Sequence, residues 1–361
     1  MKHVFDEVNK CLIDKDDEVE AYLCALVAYE HCCAIGAPGV AKSLTIDHLC
    51  VALGLKFWDT LMNEYMMPDE LLGPISLDAL QRTPSEYERI TDDMFPDCHV
   101  AFLDEVNNAS GAIQNFLLKA MNERRIRIGK NVVNLPLKSI MAATNHDFEP
   151  GKMDAFTDRW LIKLRVHPVS SKYWDDLLFG KLDTPSQVSN LQELEQAHDT
   201  AMGLSFSTDA ANAYKEIMFE LKTKSQLPSP RRCRNATKLC KARAHIEGAS
   251  EVALEHMDIL RYAMFTHEAE RMVCEEVVTN IANPALKQLQ DQMVAMQQVL
   301  DGDDSPGVKA GKLRKVKSSV QALRQSRKTD KVIAELDDEI QRNVMLEMDV
   351  DIEIPAPPQV A

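Results

Sequence analysis

Apolar residues in the first half of the chain fall into short continuous runs separated by stretches with helical spacing. The runs HCCAI, LKFWDTLM, HVAFLDE and KSIMAATN are short and rich in β-forming residues, and they predict strands. Apolar residues spaced three to four positions apart at 18–29, 42–53 and 110–124 predict helices. This alternation between residues 31 and 166 predicts a parallel sheet with helices on both faces.

Two segments interrupt that alternation. RIRIGKNVVNLPL has two β-rich arms around Gly129, Lys130 and Asn131, which predicts a hairpin. MPDELLGPISLDALQRTPSEYERI opens as a helix and is broken at Gly73-Pro74 and again at Pro84, which predicts a helix that carries an insertion.

The second half of the chain has little strand pattern. Residues 171–270 predict helices that are punctuated by LDTPSQ and QLPSPRR, and thus an all-helical domain. Residues 268–300 and 309–348 are long, polar and weakly heptad-like, and they predict two helices joined as an extended hairpin by DGDDSPG. The last residues, IPAPPQVA, predict a disordered end.

Composition and charge limit the classes of function. The chain has 361 residues, 45% apolar and 27% charged, with a formal charge of −15, so we do not expect nucleic acid to be held by general electrostatics. A basic block at 309–331 keeps a local nucleic-acid contact open, although helix faces that pair with the acidic block at 332–353 are the simpler interpretation. Nine scattered cysteines predict reduced thiols, and no apolar run approaches 18 residues, so we expect a cytoplasmic protein without a membrane segment.

The segment CAIGAPGVAKSLTIDHLC places a Gly/Pro-rich loop between a predicted buried strand and a predicted helix. Loop N–H groups, the first turn of the helix and Lys42 would converge on a phosphate, and Ser43 would offer its oxygen to magnesium. The general phosphate-binding pattern has glycine immediately before the lysine, where this chain has Ala41. We therefore expect the backbone of Ala41 to keep a negative φ.

Polar residues at the ends of two later strands supply the remaining chemistry. HVAFLDE delivers Asp104 to the carboxyl edge of the sheet, where it can hold magnesium through water, and Glu105 follows where it can polarise an attacking water. Asn145 ends a strand that we expect beside the Asp104 strand, where it can orient that water. A surface carboxylate pair and a turn-forming asparagine are the alternative interpretations.

A cation for the γ-phosphate has two candidates. Arg159 lies in AFTDRWLIKL, and Arg231 lies in LPSPRR at the predicted start of a helix. An arginine supplied from outside is a recurrent way to stabilise phosphoryl transfer. Taken singly, each arginine is also compatible with a surface salt bridge.

These segments, in this order, resemble the MoxR family of AAA+ ATPases. The resemblance rests on GAPGVAKS, MPDELLGPISLDAL, YERI, VAFLDEV, LLKAMNERRIRIG, MAATN, DAFTDRWLIKL and SPRR, and it is greatest to the regulatory ATPase variant A (RavA) branch. Alanine before the lysine is the version of the loop found in this family. The resemblance implies an α/β fold, with a P-loop AAA+ core built as an αβα sandwich and an all-α lid, and it extends to about residue 268. We predict boundaries of 1–168 for the core and 169–268 for the lid. Beyond the resemblance, the residue pattern predicts a C-terminal helical hairpin that forms an extended arm at 269–348, and a disordered tail at 349–361.

The resemblance also implies roles for individual residues. Lys42 would bind the β- and γ-phosphates of ATP, Ser43 and Asp104 would hold Mg²⁺, and Glu105 would be the catalytic Walker B acid. Asn145 would be sensor 1, Arg159 an arginine finger reaching a neighbouring subunit, and Arg231 sensor 2, with Arg232 as the alternative. The implied nucleotide-binding set is Gly36, Ala37, Pro38, Gly39, Val40, Ala41, Lys42, Ser43, Leu44 and Asp104.

The implied activity is hydrolysis of the phosphoric anhydride bond of ATP, coupled to chaperone-like remodelling of a protein complex. Family members form hexameric rings, so a homo-hexamer is expected, with a von Willebrand factor A (vWA) domain protein as a possible partner. GPISLDALQRTPSEYERI and the hairpin would face the pore or a client. A nucleotide-gated assembly scaffold and, less favoured, a nucleic-acid-acting motor are the alternative functions.

Overall fold

The computed structural model describes residues 1–82, 88–128, 131–149, 151, 154–181 and 183–284, together with isolated positions between 287 and 312. The chain divides into two compact units, Met1–Glu275 and Glu276–Ala361. All of the elements that build the sheet and the candidate site lie in the first unit.

Seven strands occur in the described residues, and five of them form one parallel sheet. The sheet order is β2-β3-β6-β1-β7, and β4 and β5 form a separate antiparallel hairpin. The strands are β1 (Cys32–Ile35), β2 (Phe57–Leu61), β3 (Val100–Asp104), β4 (Arg125–Ile128), β5 (Asn131–Asn134), β6 (Ser139–Thr144) and β7 (Ile162–Arg165).

Helices connect these strands and form most of the second half of the described chain. They are α1 (Lys2–Lys10), α2 (Asp16–Ala28), α3 (Lys42–Leu53), α4 (Pro68–Leu72), α5 (Leu77–Arg82), α6 (Gly111–Glu123), α7 (Asp154–Thr157), α8 (Trp174–Phe179), α9 (Leu191–Gly203), α10 (Thr208–Thr223), α11 (Pro230–Glu247) and α12 (Arg271–Ala282). A 3₁₀ helix covers Leu254–Tyr262.

The interior strands carry almost continuous apolar runs because both of their faces are covered. Every residue of β1 and β6 is buried, as are four of the five residues of β3. In register, Ile35 lies beside Thr144 on one side and beside Arg165 on the other. The carboxyl ends of β1, β6 and β7 are therefore level, which aligns the loops that follow them at one edge of the sheet.

Capping residues that are visible in the sequence set the starts of four long helices. Ser110, Asn190, Ser207 and Ser229 each accept a hydrogen bond from a backbone N–H in the first turn, at α6, α9, α10 and α11. Pro230 follows Ser229 at the first position of α11, where a missing N–H costs nothing.

The helical region after β7 packs onto the sheet within the first unit. α2 is buried along most of its length and packs against α9 and α11 as well as α3. Polar ties reinforce this packing: Lys238 Nζ lies 2.6 Å from Glu30 Oε1, and Lys163 Nζ donates to the Thr266 carbonyl at 2.5 Å.

The predicted fold class, a parallel α/β core followed by a helical region, is confirmed. The hairpin is confirmed on its described arms, and the predicted helix break is found at Gly73, which has φ +85° where α4 ends. The second predicted break at Pro84 lies outside the described residues. Most of the predicted C-terminal arm, most of the basic block and all of the tail also lie outside the described residues.

All nine cysteines are free and buried. None of the described helices combines the length and the apolar character needed to cross a membrane.

Candidate functional site

Four sequence-predicted positions lie at the carboxyl edge of the sheet. Gly36 directly follows β1, Asn145 follows β6, and Asp104 and Glu105 end and follow β3, which is hydrogen-bonded to β6. Gly36 N donates to the Thr144 carbonyl at 3.1 Å, which ties the start of the loop to the strand that precedes Asn145. The topology thus brings these residues together, as expected for ligand sites in open α/β sheets.

α3 begins without a capping side chain. Its N-cap residue is Ala41, whose side chain has no atom that can accept a hydrogen bond from the first turn, in contrast to the serine and asparagine caps of α6, α9, α10 and α11. The first N–H groups of a helix have no intrahelical partner, and they carry the positive end of the helix dipole. This helix N-terminus is therefore available to an anion.

The expectation that Ala41 keeps a negative φ is wrong. Ala41 has φ +65° and ψ +28°, the left-handed conformation that glycine adopts without strain. An alanine there costs about 1–2 kcal/mol. The reason is the direction of the chain: the loop has to reverse from β1 into α3 at this residue, and this requirement overrides the preference of the side chain.

The two glycines of the loop serve different needs. A Cβ on Gly36 would lie 2.4 Å from the Val166 carbonyl oxygen, so glycine allows the loop to pass close to the end of β7. Gly39 has φ +79°, and a Cβ built there would meet nothing within 4 Å. Gly39 is thus required for the turn and leaves open space at the tip of the loop.

Lys42 is 8% exposed and points back under the loop. Its Nζ donates to the carbonyls of Gly36 at 2.5 Å and Ala37 at 3.2 Å and to Asn145 Oδ1 at 2.7 Å. These acceptors are neutral, and no described carboxylate lies within ion-pair distance of Lys42. A buried ammonium group with only neutral partners is a costly arrangement, which an anion would relieve.

Asn145 joins Lys42 to Glu105. Its Oδ1 accepts from Lys42, and its Nδ2 donates to Glu105 Oε1, so the two contacts together define the orientation of the amide. The backbone N–H of Glu105 donates to Asp104 Oδ1 at 2.9 Å, and Glu105 has φ +51°. A non-glycine residue in that conformation is uncommon and is concentrated at functional sites.

Burial lowers the pKa of Lys42, and the nearby carboxylates of Asp104 and Glu105 act in the opposite direction. Both acids therefore lie within electrostatic reach of the loop. The donor set fits a nucleoside triphosphate with magnesium: an uncapped helix N-terminus and Lys42 for phosphate oxygens, and the exposed Ser43 with Asp104 as oxygen ligands for the cation.

Arg159 and Arg231 do not lie at this edge. Arg159 precedes β7, and Arg231 lies in the first turn of α11. Both line a cleft of about 240 Å³ together with residues that immediately precede β1, including His31. Because β1 and β7 are parallel, this cleft lies at the amino edge of the sheet, at the other end of the strands from Lys42.

The two arginines in the cleft are only lightly held. Arg159 Nη1 lies 3.7 Å from Asp158 Oδ2, and the Nε of Arg159 is buried without a partner in the described structure. Arg231 is exposed. Arg232, the alternative to Arg231, is instead 1% exposed, and its guanidinium donates to backbone carbonyls.

Sequence reasoning missed several contacts of the cleft. Arg124 donates to the Tyr29 carbonyl at 2.7 Å, and its Nη1 lies 2.9 Å from His31 Nε2. Nδ1 of His31 accepts from the Ile140 N–H at 2.9 Å. Burial lowers the pKa of His31 well below its usual value, with a further contribution from the charge of Arg124. The partners are about 90–110 residues apart along the chain, so the spacing of the residues carried no signal of these contacts.

Residues 1–201 match the family described as "MoxR domain in the MoxR-vWA-beta-propeller ternary systems". The chain belongs to this MoxR family. The predicted resemblance to MoxR AAA+ ATPases is confirmed at this level, because the match covers more than half of the 361 residues.

The chain is also similar to individual proteins. The chain is 27% identical over 296 residues to an uncharacterized protein of Methanocaldococcus jannaschii, covering 81% of this chain and 77% of the relative. It is 25% identical over 190 residues to Chaperone MoxR1 of Mycobacterium tuberculosis, covering 51% of this chain and 49% of that one. A crystal structure of a putative ATPase from Cytophaga hutchinsonii has the same fold, with a TM-score of 0.63 at 18% identity, covering 77% of this chain and 92% of the other.

Proposed function

We propose that this MoxR protein hydrolyses ATP with Mg²⁺ at the carboxyl edge of its sheet. The observation that carries the proposal is the buried Lys42, which has neutral hydrogen-bond partners and contacts Glu105 through a single bridging side chain, Asn145. A phosphate site needs the cation, and hydrolysis needs the carboxylate and a polar group beside it.

Each residue at this edge has a distinct task. Lys42 and the first turn of α3 bind phosphate oxygens, and Ser43 and Asp104 hold Mg²⁺, which neutralises charge on those oxygens. Glu105 accepts a hydrogen bond from a water and increases its nucleophilicity, and Asn145 orients that water towards the γ-phosphate. Movement of the Asn145 amide from Lys42 and Glu105 to the water would prepare the site for reaction.

The arginines act on a neighbouring copy. Arg159 and Arg231 face a cleft at the opposite edge from Lys42 of the same chain, so neither is placed to serve its own ATP. We assign Arg159 as the arginine finger and Arg231, rather than the buried Arg232, as sensor 2. Charge developing on the transferred phosphoryl group would be stabilised by two cations from the adjacent subunit.

A site completed by a neighbour requires at least two identical copies. Interfaces that join unlike faces generate a ring where the rotation between copies closes, and we propose that this ring is a hexamer. We propose that ATP hydrolysis by this ring is coupled to chaperone-like remodelling of a protein complex, with a vWA-domain protein as partner. The description of the matched family supports the pairing with a vWA domain. The finer assignment to the RavA branch and a cytoplasmic location rest on the sequence motifs and composition alone.

The test is magnesium-dependent release of phosphate from ATP by the full chain. Lys42→Ala and Glu105→Gln are each expected to lower turnover about 100-fold or more, because they remove the phosphate cation and the base. Glu105→Gln is expected to retain binding of a fluorescent ATP analogue, whereas Lys42→Ala loses it. Lys56→Ala, at an exposed lysine paired with Asp97, is the matched control and keeps full activity.

Retained turnover in both variants contradicts the proposal. A nucleotide-gated scaffold would instead assemble on ATP with the same stoichiometry in the wild type and in Glu105→Gln, and its assembly would not need turnover. Measuring particle size by light scattering with and without ATP separates that function from hydrolysis.

A further inference from the structure

Arg232 is among the largest fully buried side chains in the described protein, and its guanidinium bonds only to backbone. Nε donates to the Ala263 carbonyl at 2.6 Å and Nη1 to the Asp158 carbonyl at 3.1 Å. Nη2 donates to the carbonyls of Trp160 at 3.0 Å and Leu161 at 2.7 Å. None of the described carboxylates forms an ion pair with it.

Three of these four carbonyls bracket Arg159. Asp158 precedes it, and Trp160 and Leu161 follow it, so the guanidinium fixes the backbone on both sides of the arginine finger. The planar fork of an arginine can satisfy several acceptors whose directions are fixed, whereas a lysine has one nitrogen. The geometry therefore holds a particular conformation of the segment 158–161.

A second link runs through the start of α11. Ser229, the N-cap, accepts from the Arg232 N–H at 3.2 Å, and its hydroxyl lies 3.3 Å and 3.5 Å from the two carboxylate oxygens of Asp158. The same carboxylate lies beside Arg159. Because Arg231 is the next residue before Arg232 on this helix, the two links tie the positions of both cleft arginines to each other.

Burying this cation is expensive. Desolvation lowers the pKa of Arg232 to about 10, and at neutral pH the group is still charged. An apolar side chain of similar volume would fill the space without that cost. An apolar side chain could not donate to the three carbonyls of segment 158–161 and to the Ala263 carbonyl at once. Directional hydrogen bonding is therefore the property that requires arginine here.

We propose that Arg232 is a positioning residue for the reaction on the neighbouring copy, because it locks the segment 158–161 onto α11 so that Arg159 and Arg231 enter the cleft as one fixed pair. This inference rests on the proposed function, in which the two arginines act on the ATP of an adjacent subunit. It assigns to Arg232 neither a contact with nucleotide nor a role at its own Lys42 site.

The test is complementation between variants mixed in equal amounts. Arg232→Gln alone is expected to lower turnover about 10- to 100-fold, as misplacement of catalytic groups by about 1 Å does, with the KM for ATP changed less than about threefold. Mixed with Lys42→Ala, it should recover up to about a quarter of wild-type turnover, since about a quarter of the interfaces then join an intact Lys42 site to intact arginines. Mixed with Arg159→Ala, it should recover nothing.

Two further variants separate positioning from folding. Arg232→Lys keeps the charge and much of the volume, and it should show the same complementation pattern with a smaller loss, about tenfold. Arg243→Lys is the matched control: Arg243 is a second buried arginine on α11, but it pairs with Glu20 at 3.0 Å and Asp258 at 3.5 Å and does not contact segment 158–161. It should lower the unfolding temperature and leave turnover per folded subunit unchanged.

Recovery of turnover in the mixture of Arg232→Gln with Arg159→Ala overturns the inference. So does failure of both Arg232 variants to recover with Lys42→Ala, since that would place their defect in the fold or in their own ATP site. If instead Lys42→Ala and Arg159→Ala fail to complement each other, the proposed action between subunits is wrong, and the role of Arg232 is overturned with it.

Discussion

The two edges of the sheet build polar sites by different means. At the carboxyl edge, the site is formed mainly by the backbone: α3 starts uncapped, and Ala41 and Glu105 both have left-handed backbone conformations. At the amino edge, the site is formed mainly by side chains: α11 starts with a capping serine, and the buried Arg232 donates to the carbonyls around Arg159. The first edge offers amides and one lysine to a ligand that it would enclose, whereas the second offers charges outward. Such a difference is expected if the two edges belong to two halves of one site on different copies.

The largest expected effect distinguishes the two edges by which property a substitution removes, turnover alone or turnover together with ATP affinity. Arg159→Ala should lower turnover about 10³-fold, because an arginine finger is worth 10³–10⁵ in rate, while the affinity for ATP stays near the wild-type value. Lys42→Ala should lower both turnover and the affinity for ATP. Equilibrium binding of a fluorescent ATP analogue, measured beside phosphate release, checks this; a loss of ATP affinity in Arg159→Ala would place Arg159 in the binding site of its own chain.

Dilution of the wild-type protein tests whether the two edges act together across copies, without any mutation. If one edge needs the other from a second copy, turnover per subunit should fall at least tenfold as the concentration drops below the dissociation constant of the assembly. Phosphate release measured over a wide concentration range, with particle mass from light scattering, tests the prediction. Constant turnover in a preparation shown to be monomeric would contradict it.

Asn145 tests the carboxyl edge alone. Asn145→Ala removes the bridge between Lys42 and Glu105 and should lower turnover about 10- to 100-fold, with little change in unfolding temperature because the side chain is only partly buried. Asn107→Ala is the matched control; it removes an asparagine that donates to the nearby His146 carbonyl but does not contact Lys42. Equal losses in both variants would indicate a loop effect and not a role for the Asn145 amide.

His31 tests the amino edge through pH. Burial holds its folded-state pKa below the unfolded value, so below about pH 6.5 the unfolded chain binds a proton that the folded chain does not, and stability falls as pH falls. The contribution is about 1.4 kcal/mol per pH unit for one proton. Urea unfolding at pH 7 and pH 5 should show a smaller pH dependence in His31→Gln than in the wild type; an equal pH dependence in the two proteins would contradict the prediction.

The smallest effect concerns the strained alanine. Ala41→Gly should raise the free energy of unfolding by up to about 1 kcal/mol, because glycine adopts φ +65° without the clash of a Cβ. Gly39→Ala, at φ +79°, is the reverse experiment and should lower it by a similar amount. Urea unfolding of both variants tests the pair; a loss of stability in Ala41→Gly would show that the alanine side chain makes a compensating contact.

The carboxyl edge could be predicted from the sequence because its parts are local. A strand, a flexible loop and Lys42 follow one another directly, and Asp104 and Asn145 each end an apolar run, so parallel topology was enough to bring them to one edge. The backbone of Ala41 could not be predicted, since the direction in which α3 leaves the loop is set by packing against the sheet. Likewise, no pattern in the sequence indicated the positive φ of Glu105.

The amino edge was predictable only in outline. Arg159 and Arg231 could be recognised, but not which edge they share. The difference between Arg231 and Arg232 depends on which face of α11 meets the segment 158–161, across more than 70 residues of chain. Composition and spacing cannot distinguish two adjacent arginines, although Arg231 is exposed and Arg232 is buried.

β7 has a mechanical consequence. At four residues it is about 13 Å long, with the Arg159 segment at its start and the Val166 carbonyl, pressed against Gly36, at its end. A short strand that pairs with β1 along its whole length would therefore transmit a displacement of the phosphate loop to the Arg159 segment at its other end. If Arg159 acts on an adjacent copy as proposed, ligand binding at one site would then be communicated to the neighbouring site in one direction.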